Sequence, residues 1–307
     1  MASLAADFLH LKLKNPFVLA SGILGTSPTL LVRCAHEGAG AVTSKSCGPE
    51  ARAGHANPVA LAWGDGVINA IGLTNPGARD ELPLLSEAKQ RLAALGVPLF
   101  ASIFAPTLEL FGEVAQIIAG AEPDLIEVNI SCPNVASEFG TPFSASPESA
   151  AAVTREVRRA INLPISIKLA PNVPDIGSIA HAVAEEGADA ITAVNTMPAM
   201  LIDAHAGMPV LKNRTGGLSG PALKPIALRC VAEIATRVSL PIIGTGGIAT
   251  GLDAAEMLMA GATLVGVGSA IWQDGPAVFR QMKAEMSSFM DTAGYSRLED
   301  MRRRAIQ

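Results

Sequence analysis

Residues 164–195 read PISIKLAPNVPDIGSIAHAVAEEGADAITAVN. PISIKL (164–169) and AITAVN (190–195) are short apolar runs rich in β-branched residues, the composition of strands buried on both faces. Between them, DIGSIAHAVAEEG (175–187) carries helical spacing and ends on Gly187, a residue suited to the position just past a helix. A strand, a helix and a strand in this order form a βαβ unit, whose two strands pair in parallel.

The same alternation extends in both directions. FVLAS (17–21), AVTSKS (41–46), PLFASIF (98–104), LIEVNIS (125–131), PIIGTGG (241–247) and LVGVGSA (264–270) bring the candidate strands to eight. SPESAAAVTREVRRA (146–160) is a further helix, with Ser146 able to cap it and Glu148 favouring its first turn. GAGAV (38–42), GADAI (187–191) and GATLV (261–265) each set Gly-Ala between a helix end and a strand start, an echo of a repeated unit. Eight such strands close into a (β/α)₈ TIM barrel, an α/β fold, over one domain spanning residues 1–307. A doubly wound open sheet would more often carry a G-x-G-x-x-G fingerprint after its first strand, and none follows here.

Composition narrows the function. Hydrophobic residues make up 49% of the 307 and charged residues 17%, enough for a large core and too apolar for a disordered chain. With 23 basic and 28 acidic residues and no long basic stripe, nucleic acid is excluded as a partner. The one dense basic run, MRRRA (301–305), reads as a solvated helix end. Cys34, Cys47, Cys132 and Cys230 show neither C-x-x-C nor zinc-ligand spacing, so no metal is expected and reduced thiols fit a cytoplasmic protein. No segment reaches the roughly 18 apolar residues of a membrane span, and no signal peptide opens the sequence.

In a barrel the C-terminal strand ends share one face, where active sites are built. Those ends here carry Ser21, Lys45, Ser102, Asn129, Lys168, Asn195, Gly246 and Ser269. Two connections, 47–78 and 196–221, are long enough to carry function or structure of their own. Cys132 follows the fourth strand and precedes a proline, which holds it away from the α region; at the mouth a thiol can serve as nucleophile or base if cations such as Lys45 or Lys168 favour the thiolate. Neither lysine has an Asp or Glu beside it on the same face of its strand, which favours an anionic ligand over a structural salt bridge. Glycines in TGGLSGP (215–221), GTGGIATG (244–251) and GVGSA (266–270) expose backbone N–H groups that can cradle a phosphate. Asn69, Asn129, Asn134 and Asn195 would ring a planar, polar ligand, whereas Asn75, followed by Pro76, reads equally well as a turn residue.

SKS (44–46), NAIGLTNPG (69–77), SCPN (131–134), KLAPN (168–172), VNT (194–196), TGGLSGPALKPIA (215–227) and IIGTGGI (242–248) together resemble the class 1 dihydroorotate dehydrogenases from about residue 7 to residue 285. GGLSGPALKP is most similar to the class 1B catalytic subunit. The resemblance implies oxidation of dihydroorotate to orotate in pyrimidine biosynthesis with FMN, Cys132 being the base that takes the C5 proton. It implies FMN contacts from Ser21, Lys45, Ser46, Ser102, Asn129, Lys168, Val194, Gly220, Gly246, Gly247, Gly268 and Ser269. Substrate contacts are implied for Lys45, for Asn69, Ala70, Ile71, Gly72 and Leu73, and for Asn129, Asn134, Asn195 and Thr196.

Class 2 members carry serine in place of the cysteine and a membrane-associating N-terminal extension, and both points set this sequence apart from them. Two departures stand out: Ser102 where members usually have asparagine, and Ala199 where they have glycine. The sequence contains neither an iron–sulfur cysteine cluster nor a dinucleotide fingerprint, so NAD would require a second polypeptide. The resemblance implies a homodimer, or a heterotetramer with a subunit carrying FAD and a [2Fe–2S] cluster. The competing readings are a class 1A fumarate-linked homodimer, a related FMN dihydropyrimidine dehydrogenase, and a non-redox phosphate-binding barrel.

Overall fold

The computed structural model describes residues 2–131 and 142–307. A hairpin of β1 (Ala6–Phe8) and β2 (Leu11–Leu13) leads into the first barrel strand, β3 (Phe17–Leu19), then helix α1 (Pro28–His36) and β4 (Ala41–Thr43). The first long connection holds β5 (Ala60–Trp63) and β6 (Gly66–Asn69), and α2 (Ala78–Ala93) follows. Next come β7 (Leu99–Ile103), α3 (Leu108–Ala119), β8 (Leu125–Asn129), α4 (Pro147–Ala160), β9 (Ile165–Leu169), α5 (Ile176–Glu185) and β10 (Ala190–Ala193). The second long connection holds β11 (Met197–Ala199), β12 (Ile202–Asp203), β13 (Met208–Pro209) and β14 (Gly216–Ser219). The chain ends through α6 (Lys224–Arg237), β15 (Ile242–Thr245), α7 (Gly251–Met259), β16 (Leu264–Val267), α8 (Ser269–Asp274) and α9 (Val278–Ala293).

All eight expected strands pair in parallel into one closed barrel, in the order β3-β4-β7-β8-β9-β10-β15-β16 and back to β3. The fold is therefore the (β/α)₈ TIM barrel. Side chains of β7, β8 and β9 are buried along their whole length, which explains apolar runs without strict alternation. Ser146 Oγ caps α4 by accepting from Ser149 N at 3.2 Å, and Asp175 Oδ1 does the same for α5 from Ser178 N at 2.8 Å.

The three Gly-Ala echoes are one repeated device. Gly38, Gly187 and Gly261 all have positive φ (105°, 90° and 122°). The alanine after each donates back five residues, to Cys34 O, Val183 O and Met257 O, and the glycine donates back three, to Ala35 O, Ala184 O and Leu258 O. This Schellman pairing ends the helix and turns the chain into the next strand, and it needs a residue without Cβ strain at the left-handed position.

The two long connections fold onto each other. Their strands form an antiparallel sheet in the order β11-β14-β6-β5, with Leu218 opposite Ile68 and Gly217 opposite Asn69. This sheet brings residues 67–73 and 196–219 to the barrel mouth, where they share a cavity with the strand ends. MRRRA is not a helix end: it lies in turns, where Arg303 takes a φ of 66° and its N–H donates to Leu258 O at 3.0 Å. Among the described residues, no helix is long and apolar enough to cross a membrane.

Candidate active site

A cavity of about 480 Å³ opens at the C-terminal ends of the strands. Ser21, Lys45, Ser46, Asn129, Lys168, Val194, Gly246, Gly247, Gly268 and Ser269 line it from the barrel. Asn69, Ile71, Gly72, Leu73, Asn195 and Thr196 line it from the overlying loops and sheet. A volume of this size suits a ligand of cofactor dimensions.

One wall is built from polar side chains. Lys168, near the end of β9, is buried and donates from Nζ to Ser21 Oγ at 2.7 Å. Its Nζ also lies 3.5 Å from Glu127 Oε1 on the neighbouring strand β8. The expectation that Lys168 lacks a carboxylate partner is thus corrected: register pairs Asn129 with Lys168, and Glu127, two residues earlier on the same face, reaches the ammonium diagonally. A hydrogen-bonded chain runs from Asn129 Nδ2 to Ser46 Oγ (3.3 Å), from Ser46 Oγ to Ser102 Oγ (2.8 Å) and from Ser102 Oγ to Glu127 Oε1 (2.9 Å). On the other side of Asn129, Asn195 Nδ2 donates to Asn129 Oδ1 at 3.3 Å and to Ser131 Oγ at 3.0 Å. Asn195 Oδ1 in turn accepts from Thr196 N at 2.8 Å.

The opposite wall is backbone. Gly246 and Gly247 follow β15 with φ of 133° and 75°, and a Cβ on Gly247 would come within 2.6 Å of Lys224 N. The turn is held by side chains behind it: Lys224 Nζ donates to Asp253 Oδ1 and Glu256 Oε2, both at 2.6 Å, while Asp253 Oδ2 accepts from Ala249 N and Thr250 N. Gly268, after β16, has Ala20 Cβ at 3.8 Å as the nearest neighbour of an added Cβ, so its backbone is open where it meets the cavity. Thr245 Oγ1 is buried and without a hydrogen-bond partner among the described residues. The hydroxyl lies against Gly266, where an added Cβ would come within 2.0 Å of it.

Three of the expected residues lie off the cavity wall. Ser102 is fully buried beneath Ser46 and Glu127. Gly220 turns at φ 106°, and a Cβ there would meet Gly66 Cα at 2.5 Å, which makes it a close-packing position. Ala70 packs with Ile68 and Leu211. Asn75 is a turn residue: its Oδ1 accepts from Gly48 N and Gly77 N, and its Nδ2 donates to Leu73 O. Cys132 and Asn134 lie outside the described residues. Sequence reasoning passed over Glu127 and the cavity-lining Thr245 and Trp272, although Glu127 stood in LIEVNIS and Thr245 in GTGG.

The other three cysteines are unsuited to thiolate chemistry. Cys34, Cys47 and Cys230 are buried without disulfides, and burial pushes all three thiols up, Cys34 to about 11.

Such a barrel, with glycine turns on its last two strands and a buried lysine across the mouth, has the form of a cofactor-binding α/β-barrel enzyme. Residues 3–290 match the family model described as dihydroorotate dehydrogenase. The chain is 44% identical over 290 residues to the dihydroorotate dehydrogenase B (NAD(+)) catalytic subunit of Methanosarcina acetivorans, covering 94% of this chain and 92% of that one. The like-named subunit of Methanosarcina mazei is 45% identical over 287 residues (93% and 90%), and that of Methanothermobacter thermautotrophicus 40% over 302 residues (97% of each). The chain belongs to the dihydroorotate dehydrogenase family.

Proposed function

We propose that this protein oxidises (S)-dihydroorotate to orotate in pyrimidine biosynthesis, as the FMN-binding catalytic subunit of an NAD-linked enzyme. The observation that carries the proposal is a single cavity shared by the SKS, NAIGL, KL, VNT, GTGG and GVGS segments in a chain with near-full-length relatives of that name. FMN fits the wall: Gly246, Gly247, Gly268 and Ser269 offer backbone to its phosphate, and Lys168 supplies a cation. When bound, FMN supplies the two-electron acceptor for the hydride leaving substrate C6.

The protein's own groups do the rest. Lys45 meets the substrate carboxylate, and Asn69, Asn129, Asn134 and Asn195 pair with the polar edge of its ring, leaving Ile71 and Leu73 against its apolar face. Cys132 takes the C5 proton as the C5=C6 double bond forms. The electrons then leave to a separate subunit that carries FAD and a [2Fe–2S] cluster and reduces NAD, a requirement consistent with a sequence that lacks sites for either group.

Steady-state turnover of the purified chain with NAD, fumarate or a dye, each with and without that subunit, tests the assignment. Dye reduction by the chain alone and NAD reduction only with the partner are expected. Rapid fumarate turnover by the chain alone would move it to the 1A class.

A further inference from the structure

Glu127 is a buried carboxylate that the chemistry above leaves unused. It is 4% exposed, in the middle of β8, where a lone carboxylate would be costly to keep ionised. Two groups answer it: Ser102 Oγ donates to Oε1 at 2.9 Å, and Lys168 Nζ lies 3.5 Å away. The ammonium has three N–H donors. Ser21 takes one at 2.7 Å and Glu127 a second, looser one, and no further acceptor meets Lys168 among the described residues, so the third donor is left for the cavity. Lys168 therefore meets a ligand as part of a neutralised pair, not as a bare cation. The chain Ser102–Ser46–Asn129 fixes the carboxylate to residues on the cavity floor, so Glu127 cannot swing away without breaking bonds that reach the site.

We propose that Glu127 is a positioning residue that sets how much positive charge Lys168 presents to the bound flavin, with Ser102 holding it in place. This rests on the FMN reading given above. The sign follows from the charges: two-electron reduction makes the flavin more negative, a cation beside it favours that state, and a carboxylate on the cation weakens the effect. Glu127→Gln keeps the size and the acceptor for Ser102 but removes the charge, so it must raise the midpoint potential of bound FMN.

The test is a dye-equilibrated reductive titration of the holoenzyme and of Glu127→Gln, with FMN affinity measured on both. Retained FMN and a midpoint raised by about 30 mV, the tenfold change in equilibrium of a two-electron couple, are expected. An unchanged or lowered potential overturns the proposal while leaving the FMN assignment intact. A wild-type chain that neither carries nor takes up FMN removes the assignment and the proposal together. If Glu127→Gln does not fold, Glu127→Gln/Lys168→Met, which removes both charges, is compared with Lys168→Met. Equal potentials support action through Lys168, and a difference of about 30 mV or more contradicts it.

Discussion

The two walls of the cavity are made of different material. On the β8 and β9 side, side chains do the work: a buried ammonium, a buried carboxylate, three serines and two asparagines are cross-linked within a few residues of the strand ends. On the β15 and β16 side, glycines leave the backbone bare and the organising side chains, Lys224, Asp253 and Glu256, stand behind the turn. The difference matches two tasks. Moving a proton and a hydride needs groups whose charge is tuned by neighbours, whereas holding a phosphate needs fixed N–H donors and space.

The sharpest test removes the proposed base and leaves the glycine wall untouched. Cys132→Ala should bind FMN and orotate normally yet slow anaerobic flavin reduction by roughly 10²- to 10⁴-fold, the usual cost of a lost general base. Unchanged stopped-flow reduction would make another group the base. On the second side, Gly268→Val would fill open space, on a backbone (φ −127°, ψ −88°) outside the α and β regions that side chains favour, so some stability is lost with it. It should weaken FMN binding by about tenfold or more, equivalent to ~1.4 kcal/mol, in protein whose thermal melt shows that it remains folded at the temperature of the titration. Fluorescence titration of the apoprotein with FMN measures it, and equal affinity would remove the glycine wall from the cofactor site.

A smaller effect comes from outside both walls. Glu81, on α2, is buried, and burial pushes its carboxyl up to about 7 from an ordinary value of 4.5. Between those values the folded protein keeps a proton that the unfolded chain releases, so stability falls as pH rises through the window and levels off above it. Glu81→Gln should flatten this slope, seen as a shift of a few degrees in the pH dependence of Tm, while leaving FMN affinity alone. A slope equal to that of the wild type would show that other groups carry it.

The barrel was legible because each strand is a short, mostly apolar run separated from the next by a helix or loop, and a Schellman glycine announces three of the eight. The overlying sheet was not: β5, β6, β11 and β14 are three or four residues long, two of them rich in glycine or proline, and pair between segments far apart in sequence. Their loops could be flagged by length alone. The cavity's lysines, amides and glycines were readable from the strand ends, since a barrel places all those ends on one face. The Lys168–Glu127 pair depends on strand register, which a one-residue slip would undo, so the acid in LIEVNIS passed as one more polar position in a strand. Ser102 misled for a related reason: it ends a strand, but its short side chain stops below Ser46 instead of reaching the cavity.

Anaerobic addition of dihydroorotate to the purified holoprotein, followed by the visible flavin absorbance, tests the central claim most directly. The account predicts that the oxidised flavin bands bleach with one equivalent of dihydroorotate per flavin and that orotate appears in equal amount. A protein that stays yellow with dihydroorotate but is bleached by dithionite would contradict the substrate, and a chain that binds no flavin would contradict the account as a whole.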